Sequence, residues 1–495
     1  MKKFFQKYDL VKISLIMILL AIVLSWVIPQ SYFNGAELSV GEITRVGFFD
    51  IVTYGLLGMY YFTVLVTFLF VVGAFYQFLS KLGAYQKLTD KLAEKVKGKE
   101  ILFSLIVSFV FAALASVLNE YMVLVAFMPF IITLCSKAKM DKISSFVMTF
   151  GAMLVGLLGS TLSQKVSGMN AQFFQLDIYD GILIKVIIFV LAFVIYGLFN
   201  VLYLIKVNGM SKKSKDKKIS KKSNKKDNKK SNKKTEKVIV EKEQVDCADL
   251  FENEIKDNEK SNMIPLLIVG ILSIITVILA YIPWSTFKVE WFTKALDTVT
   301  KVEVFGEPIF SFILGNVQAF GNWDLFGIQV VMILTMIVLA ICYGKGLTDI
   351  IDSFANGFKK TAKLVVVLLL AYLILEFAVM YPVIPTIIGK IMGKTFNVFT
   401  TSLSAIITSL FTSEYQYTAN LVYGFATAAY PKDLSAFTII FQSIYGLVSF
   451  LAPSSAMLLV GLSYLDIPYK DWMKYIWKFF VAMLVVILVV ALIIA

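Results

Sequence analysis

Long apolar runs recur along this 495-residue chain and limit what it can fold into. Several are near the ~20 residues that an α-helix needs to cross a bilayer. The chain is 58% hydrophobic and only 16% charged, whereas a soluble protein would alternate apolar and polar residues more often. A transmembrane barrel would instead show short alternating segments. The pattern therefore predicts an all-α polytopic membrane protein, with spans near residues 13–29, 59–80, 182–206, 264–282, 323–343, 361–381 and 473–495.

Most of the formal charge of +13 lies in residues 211–237, the first part of a polar stretch that spans residues 207–262. Residues 211–237 contain fourteen Lys and three acidic residues, and an acidic region follows. Because the stretch has too few apolar residues to bury a core, we predict a disordered loop between two membrane halves, 1–206 and 263–495. A solvated tether near anionic lipid explains the Lys block, and without interleaved aromatic residues no nucleic-acid partner is expected.

The basic residues also predict how the protein is oriented in the plasma membrane. Lys residues cluster near the N-terminus, in residues 81–100 and in the 207–262 loop. By the positive-inside rule, the N-terminus and this loop are cytoplasmic, and the last helix ends outside.

Several kinds of chemistry are excluded by composition. The chain has no His, and its three Cys are widely separated, so neither a disulfide framework nor a zinc spacing is visible. No nucleotide-binding fingerprint is present, so no cofactor is expected and energy would come from an ion gradient or from exchange. An intramembrane hydrolase would rely on Ser454 or Ser160 with an acid, but no His is available and no Ser–Lys pair is evident in the spans.

Two acidic tips interrupt apolar stretches at equivalent places in the two halves. Asn119 and Glu120 lie within 101–136, and Ser413 and Glu414 lie within 398–430. Each arm is short for a full span, which favours re-entrant helical hairpins with their tips inside the membrane. The alternative is a pair of short ordinary helices joined by an external turn.

Two polar breaks follow at the same spacing. The segment 143–163 is broken at Gly159, Ser160 and Thr161, and the segment 434–465 is broken at Pro453, Ser454 and Ser455. The same 294 positions separate Glu120 from Glu414 and Ser160 from Ser454. Together with the opposite charge bias of the two hairpins, this predicts inverted-topology repeats, whose four interruptions would meet at one binding site near the bilayer midplane.

The candidate site residues follow from these interruptions. A carboxylate in the membrane costs ~3 kcal/mol or more and normally has a partner or a function, although Glu120 and Glu414 could instead cap their hairpin helices. The hydroxyls at the breaks could coordinate Na⁺ or a substrate carboxylate, or could merely bond to their own helices. The predicted substrate and ion site comprises Asn119, Glu120, Gly159, Ser160, Thr161, Ser163, Ser413, Glu414, Asn420, Pro453, Ser454 and Ser455, with Na⁺ at Ser160, Thr161, Ser454 and Ser455.

Three stretches carry a resemblance to a known family. GLLGSTLSQKVSGMNAQ (156–172), APSSAMLLVGLSYLDIPYKDW (452–472) and NEYMVLVAFMP (119–129) resemble the YfcC-like branch of the ion transporter superfamily, which is related to anaerobic four-carbon dicarboxylate carriers. The resemblance implies a scaffold and a mobile transport domain, an elevator-type movement and often a homodimer. The chain departs from the family pattern at TSEYQYTAN (412–420) and at Ser163.

The sequence thus predicts a secondary active transporter, coupled to Na⁺ or H⁺, rather than an enzyme. The first expected substrate is an amino acid, which the resemblance implies is a basic one, and the alternative is a C4-dicarboxylate or other carboxylate. A function of another class stays open as an alternative: the protein would be a non-transporting membrane scaffold that uses the Lys-rich loop.

Overall fold

The computed structural model describes residues 9–223, 250–251, 262–315 and 317–495. Within these residues, eight helices are long and apolar enough to cross a membrane. The prediction of an all-α polytopic membrane protein is therefore confirmed.

The first half begins with a helix and a short β-hairpin and continues with helices only. Its elements are α1 (Asp9–Val27), β1 (Ser31–Asn34), β2 (Glu37–Val40), α2 (Phe48–Tyr61), α3 (Thr63–Ser80), α4 (Gly83–Val96), α5 (Glu100–Val117), a 3₁₀-helix (Tyr121–Phe127), α6 (Met128–Lys137), α7 (Lys142–Phe146), a π-helical turn (Val147–Gly151), α8 (Ala152–Leu158), a second π-helical turn (Gln164–Gly168), α9 (Met169–Phe174) and α10 (Ile182–Ser223).

In the described residues of the second half, the regular secondary structure consists of helices, apart from an isolated β-bridge between Val304 and Glu307. Its helices are α11 (Ile264–Tyr281), α12 (Trp291–Thr300), α13 (Ile309–Leu314), α14 (Leu325–Cys342), α15 (Leu347–Met380), α16 (Ile384–Gly389), α17 (Val398–Ser409), α18 (Tyr415–Ala429), α19 (Leu434–Val448), α20 (Ala456–Tyr464) and α21 (Tyr469–Ile494).

The β-hairpin was not predicted, although its turn carries a sequence signal. The strands pair antiparallel with Asn34 opposite Glu37, so Gly35 is the first of two turn residues, and its φ is +60°. Glycine with a positive φ at this position is typical of a type II′ hairpin turn. Ser31 fixes the hairpin to α16, because its hydroxyl lies 2.7 Å from Thr386 Oγ1.

Each half contains a helical hairpin, hairpin 1 or hairpin 2, followed by a broken helix. The first arm of hairpin 1, α5, is one of the eight helices long enough to cross a membrane, so the expectation that each arm is short for a full span is wrong for this arm. In the first half, α5 turns at residues 118–120 into the 3₁₀-helix and α6, and in the second half α17 turns at residues 410–414 into α18. The second broken helix, α19 and α20, occupies almost the whole of the predicted segment 434–465. The first one extends beyond the predicted 143–163, because the chain resumes helical structure at Gln164 and ends at Phe174, where Gln175 adopts a left-handed φ of 56°.

The broken helices lie at the centre of the protein. Every residue of α8 and nearly every residue of α19 is buried, whereas only 22–28% of the residues are buried in the membrane-spanning parts of α10 (Ile182–Val207), α11 and α21. Glycines allow the central helices to approach closely, as is common between membrane helices. A Cβ built on Gly446 would lie 2.2 Å from Leu158 Cα, and one built on Gly357 would lie 2.4 Å from Ala74 N.

The prediction of a disordered loop over 207–262 is corrected in two places. Helix α10 continues to Ser223, so its Lys-rich end prolongs a membrane helix. Leu250 and Phe251 form a turn, and Phe251 is 2% exposed. The remaining residues, 224–249 and 252–261, lie outside the described part of the chain, as do residues 1–8 of the basic N-terminus.

The contact between Gly446 and Leu158 predicts a packing defect in Gly446→Ala. The added methyl would overlap the backbone of α8, which cannot move as a flexible side chain would. Overpacking of this kind costs about 1–3 kcal/mol, so the detergent-solubilised variant should melt at a lower temperature. Gly270→Ala in α11 is the matched control, since nothing lies within 4 Å of its added Cβ. Equal melting temperatures for the two variants would contradict the packing described for α8 and α19.

Candidate functional site

A polar cavity of about 240 Å³ lies where the two hairpin tips meet. Ligand pockets usually have volumes of ~300–1,000 Å³, so this one suits a small solute. Tip 1 (residues 119–120) contributes Glu120 and tip 2 (residues 413–414) contributes Glu414, which the repeat pattern predicted would lie together. Break 1 (residues 159–161) and break 2 (residues 453–455) are the interruptions of the two broken helices. The remaining walls come from the α2–α3 junction, α8, the π-helical turn after break 1 and the start of α14; the polar and aromatic lining residues are Tyr61, Phe62, Glu120, Tyr121, Lys165, Asp324, Phe326, Glu414, Tyr415 and Gln416.

Glu120 has both of the roles that the sequence left open. Its Oε1 accepts a hydrogen bond from Met122 N at 3.1 Å, so it caps the 3₁₀-helix that follows the tip. Its Oε2 lies 3.0 Å from Lys165 Nζ, and the Glu120 side chain is only 8% exposed. The carboxylate is therefore held by a backbone amide and a lysine at the edge of the cavity.

Lys165 is the site residue that the sequence analysis missed. It lies in the π-helical turn just after break 1, within SQKVSG. Its position four residues after Thr161, in a chain region with no other charge between Lys142 and Asp177, was the available signal. An ionisable residue inside a membrane protein normally pairs with another, and Glu120 is its partner here.

Tip 2 is anchored to α15. Glu414 Oε1 accepts a hydrogen bond from Tyr372 Oη at 2.7 Å. Ser413 Oγ donates to the Ala371 carbonyl at 3.1 Å, and the Ser413 carbonyl accepts from Tyr445 Oη at 2.9 Å. Glu414 occupies the N-cap position of α18 but makes no capping bond with its side chain, so its carboxylate faces Tyr372 and the cavity.

Tip 1 is anchored to the region around the end of α11. Asn119 N donates to the Tyr281 carbonyl at 3.0 Å, and Asn119 Nδ2 donates to the Gly321 carbonyl. Both tips are therefore held by helices outside their own hairpins.

Break 1 is held by a single serine of the preceding hairpin. The Ser116 carbonyl accepts from the amides of Thr161, Leu162 and Ser163 at 3.0–3.2 Å, and Ser116 Oγ lies 2.9 Å from Thr161 Oγ1. These bonds replace the helical bonds that the break removes. Gly159 is required there, because an added Cβ would lie 2.4 Å from Phe189 Cα.

The two breaks differ in which hydroxyls are already bonded. Ser160 Oγ and Ser163 Oγ at break 1 are buried and have no hydrogen-bond partner. At break 2, Ser454 Oγ donates to the Thr412 carbonyl at 3.4 Å, and Ser455 Oγ accepts from Leu458 N at 3.4 Å as the cap of α20. Pro453 is buried beside them. Break 1 thus offers more free oxygen ligands than break 2.

A buried chain of amides links the two halves beside the cavity. Gln442 Nε2 donates to the Ser160 carbonyl at 3.0 Å, and Gln442 Oε1 accepts from Asn170 Nδ2 at 2.8 Å. Asn170 Oδ1 in turn accepts from Tyr415 Oη at 2.6 Å. Break 1 is therefore connected through α19 to tip 2. Gln442 was not predicted, because a single Gln within an apolar helix has no sequence context that marks its contacts.

Two expectations about individual residues need correction. Of the twelve predicted site residues, only Glu120 and Glu414 are among those that line the cavity, and Asn420 is exposed on α18. The sequence also showed no Ser–Lys pair, but the structure places Lys185 Nζ 3.5 Å from Ser167 Oγ, and both residues are buried. The pair joins α10 to the π-helical turn and lies outside the cavity lining.

A cavity enclosed by two hairpin tips and flanked by broken helices, deep in a helical membrane protein, is typical of a transporter binding site. The class of protein defined by this fold and site is a polytopic membrane transporter. The family model of the citrate transporters (CitMHS) matches residues 4–321, which is more than half of the chain, and the chain belongs to this family. The prediction of a transporter rather than an enzyme is confirmed, while the YfcC-like assignment stays a prediction.

Solved transporter structures are similar to this chain over nearly its whole length. MtrF of Neisseria gonorrhoeae, from a class of antimetabolite efflux pumps, is 12% identical, with 98% of this chain and 94% of MtrF covered and a TM-score of 0.37. The YdaH transporter of Alcanivorax borkumensis is 10% identical, with 98% and 97% covered and a TM-score of 0.39. Both similarities are distant. No curated protein sequence matches the chain.

The Glu120–Lys165 pair predicts a rescue between two substitutions. Lys165→Met leaves the Glu120 carboxylate buried without its partner. Breaking a buried pair costs 3–5 kcal/mol, but Lys165 is 38% exposed, so about 1–3 kcal/mol of destabilisation is expected after solvent screening. Adding Glu120→Gln to Lys165→Met should restore at least half of the decrease in melting temperature that Lys165→Met causes.

The control for this rescue is Lys294→Met, which breaks the exposed pair with Glu290, where both side chains are more than two-thirds exposed. Its melting temperature should not change. If the effects of Lys165→Met and Glu120→Gln simply add in the double variant, the two side chains do not act as a pair.

Proposed function

We propose that this protein is a secondary active transporter of a small zwitterionic or cationic solute, with an amino acid as the first choice. The observation that carries the proposal is the charge of the cavity. Among the described residues that line it, three are acidic, Glu120, Asp324 and Glu414, and one is basic, Lys165. Since Glu120 pairs with Lys165 and Asp324 caps α14 through Oδ1, Glu414 is the acid best placed to meet an ammonium group.

The same cavity has a place for the other end of an amino acid. Lys165 faces the cavity from break 1 and could bind a carboxylate while it stays close to Glu120. Gln416 and Tyr415 provide neutral polar groups between the two ends. An amino acid would thus place its ammonium at tip 2 and its carboxylate at break 1.

The alternative substrate is a carboxylate such as citrate, which the name of the family favours. A free polycarboxylate would face three acids and one lysine in this cavity. Like charges repel strongly where water is scarce, so the observed charges support the amino acid as the first choice.

Alternating access would follow from the way the tips are held. The hairpins and broken helices would move as one body against α3, α14 and α15, as in an elevator-type transporter, and the bonds from Asn119 and Glu414 to neighbouring helices would have to break and re-form. In this proposal the protein lies in the plasma membrane, with the N-terminus and the Lys-rich loop in the cytoplasm and the C-terminus outside. A homodimer stays a prediction from the family resemblance.

The substrate proposal is tested by uptake into proteoliposomes from a labelled panel of amino acids, C4-dicarboxylates and citrate, under Na⁺, proton and counter-substrate gradients. We expect saturable uptake of an amino acid, and a loss of ~10-fold or more in kcat/KM in Glu414→Gln, which corresponds to ~1.4 kcal/mol of lost interaction. Glu120→Gln should also lower uptake, because it removes the partner that positions Lys165.

The matched control for these substitutions is Glu303→Gln, an exposed acid outside the cavity, which should transport like the parent. Saturable citrate uptake with no amino-acid uptake would establish the alternative substrate. Normal uptake in Glu414→Gln would remove this residue from the site.

A Na⁺ site at break 1 is the second part of the proposal. Hard cations prefer oxygen ligands, and the buried hydroxyls of Ser160 and Ser163 have no partner. The hydroxyls of Ser454 and Ser455 are already bonded. Sodium coupling through break 1 is therefore better supported than coupling through both breaks.

This difference predicts unequal effects of removing the hydroxyls. Ser160→Ala or Ser163→Ala should raise the Na⁺ concentration for half-maximal uptake by about 10-fold, the effect of losing ~1.4 kcal/mol of binding energy. Ser454→Ala should change this Na⁺ concentration by less than about 2-fold, because the Ser454 hydroxyl already donates a hydrogen bond to the Thr412 carbonyl. Uptake that is driven by a proton gradient and is indifferent to Na⁺ would contradict the sodium site.

A further inference from the structure

Phe251 belongs to the polar segment between the two halves, yet it is one of the buried aromatic residues of the protein. Its exposure is 2%, although the segment around it, DCADLFENEIKDN, is polar and acidic. Leu250, beside it, is partly buried and packs against the same core. A Leu–Phe pair in such a context is a short apolar anchor within a polar stretch.

The ring of Phe251 is held by helices from three parts of the chain. Its centroid lies 6.0 Å from that of Tyr76 in α3 and 6.5 Å from that of Tyr464 in α20. Lys360 Nζ of α15 lies 5.5 Å from the ring centroid, within the range of a cation–π contact. The anchor thus contacts α3, α15 and α20 at once.

Phe251 lines a small cavity, of about 10 Å³, at the seam between two groups of helices. One wall comes from α3 and α15, and the other from hairpin 1, the first broken helix and α20. Both walls are apolar, and they include Leu69 and Leu364 on one side and Met128, Phe150 and Val460 on the other. If the broken helices move against α3 and α15 during transport, these two walls must slide past each other.

We propose that this seam is the docking site of the chain's own Leu250–Phe251 anchor, and that docking slows transport. An aromatic ring that bridges both walls stabilises the arrangement in which they are aligned, and a ligand that binds one state better than another shifts the population toward it. Because the anchor belongs to the same chain, it docks without the entropy cost of bringing two molecules together. The second part of the proposal rests on the transport function proposed above.

The docking part is tested by cysteine labelling, which needs no transport. The variants Phe251→Cys and Phe305→Cys are made in a chain with Cys247→Ser and Cys342→Ser, while Cys135 stays because it is fully buried. Phe305 is 100% exposed, so its cysteine reports labelling of an accessible site in detergent. We expect the cysteine at 251 to react with a maleimide at least about 10-fold more slowly. Equal rates would overturn the docking.

The inhibitory part is tested by uptake of the best substrate of the panel. Phe251→Ala should raise the maximal uptake rate about 3-fold or more, whereas the matched control Phe305→Ala should leave it unchanged. A purely structural role for Phe251 predicts the opposite, a lower rate together with a lower melting temperature, and that result would overturn the proposal. A parent without uptake of any solute would count against the proposed function, while slow labelling at 251 would still support the docking.

Discussion

The structure depends on how the polar backbone is satisfied at two helix breaks in the middle of a membrane protein. No water in the hydrocarbon core can replace a lost helical hydrogen bond, and each unpaired group costs several kcal/mol. At break 1, the Ser116 carbonyl accepts hydrogen bonds from three backbone amides, and the Gln442 side chain donates one to the Ser160 carbonyl. These partners come from α5 and α19, so the breaks can exist only where hairpins and broken helices pack closely. The burial of α8 and α19, and the glycines between them, follow from this requirement.

The same packing creates the site. The carboxylates of the two tips and the lysine that follows break 1 line one small cavity, and the unbonded hydroxyls of Ser160 and Ser163 are buried at break 1. Charges inside a membrane protein are retained where they pair or serve a solute pathway. Glu120 pairs with Lys165, whereas Tyr372 is the one hydrogen-bond donor to the Glu414 carboxylate among the described residues. This asymmetry between two residues at repeat-related positions favours a solute with unlike ends.

Much of the fold could be predicted, because apolar length and polar interruption are local properties. The hairpins, the two breaks and their common spacing could all be read from the chain. The meeting of Glu120 and Glu414 followed from the repeat. Lys165 and Gln442 could not be identified in this way, since each owes its role to a partner on another helix. The segment Gln164–Phe174 was too polar to be assigned, and the hairpin at residues 31–40 was overlooked despite the glycine at the first position of its turn. The Leu250–Phe251 anchor was not predicted, because the residues around it are polar and acidic.

The sequence by itself determined the class of the protein, the position of its spans and the places where helices must stop, because hydrophobicity, proline, glycine and isolated charges act on the chain locally. The tertiary structure decided which of the interrupted segments face each other, which carboxylate is neutralised and which hydroxyls stay free. These properties depend on distances between residues that are far apart in the chain. Glu120 and Lys165 are 45 residues apart and Tyr372 and Glu414 are 42 apart, and only the packing of separate helices brings each pair within hydrogen-bonding distance.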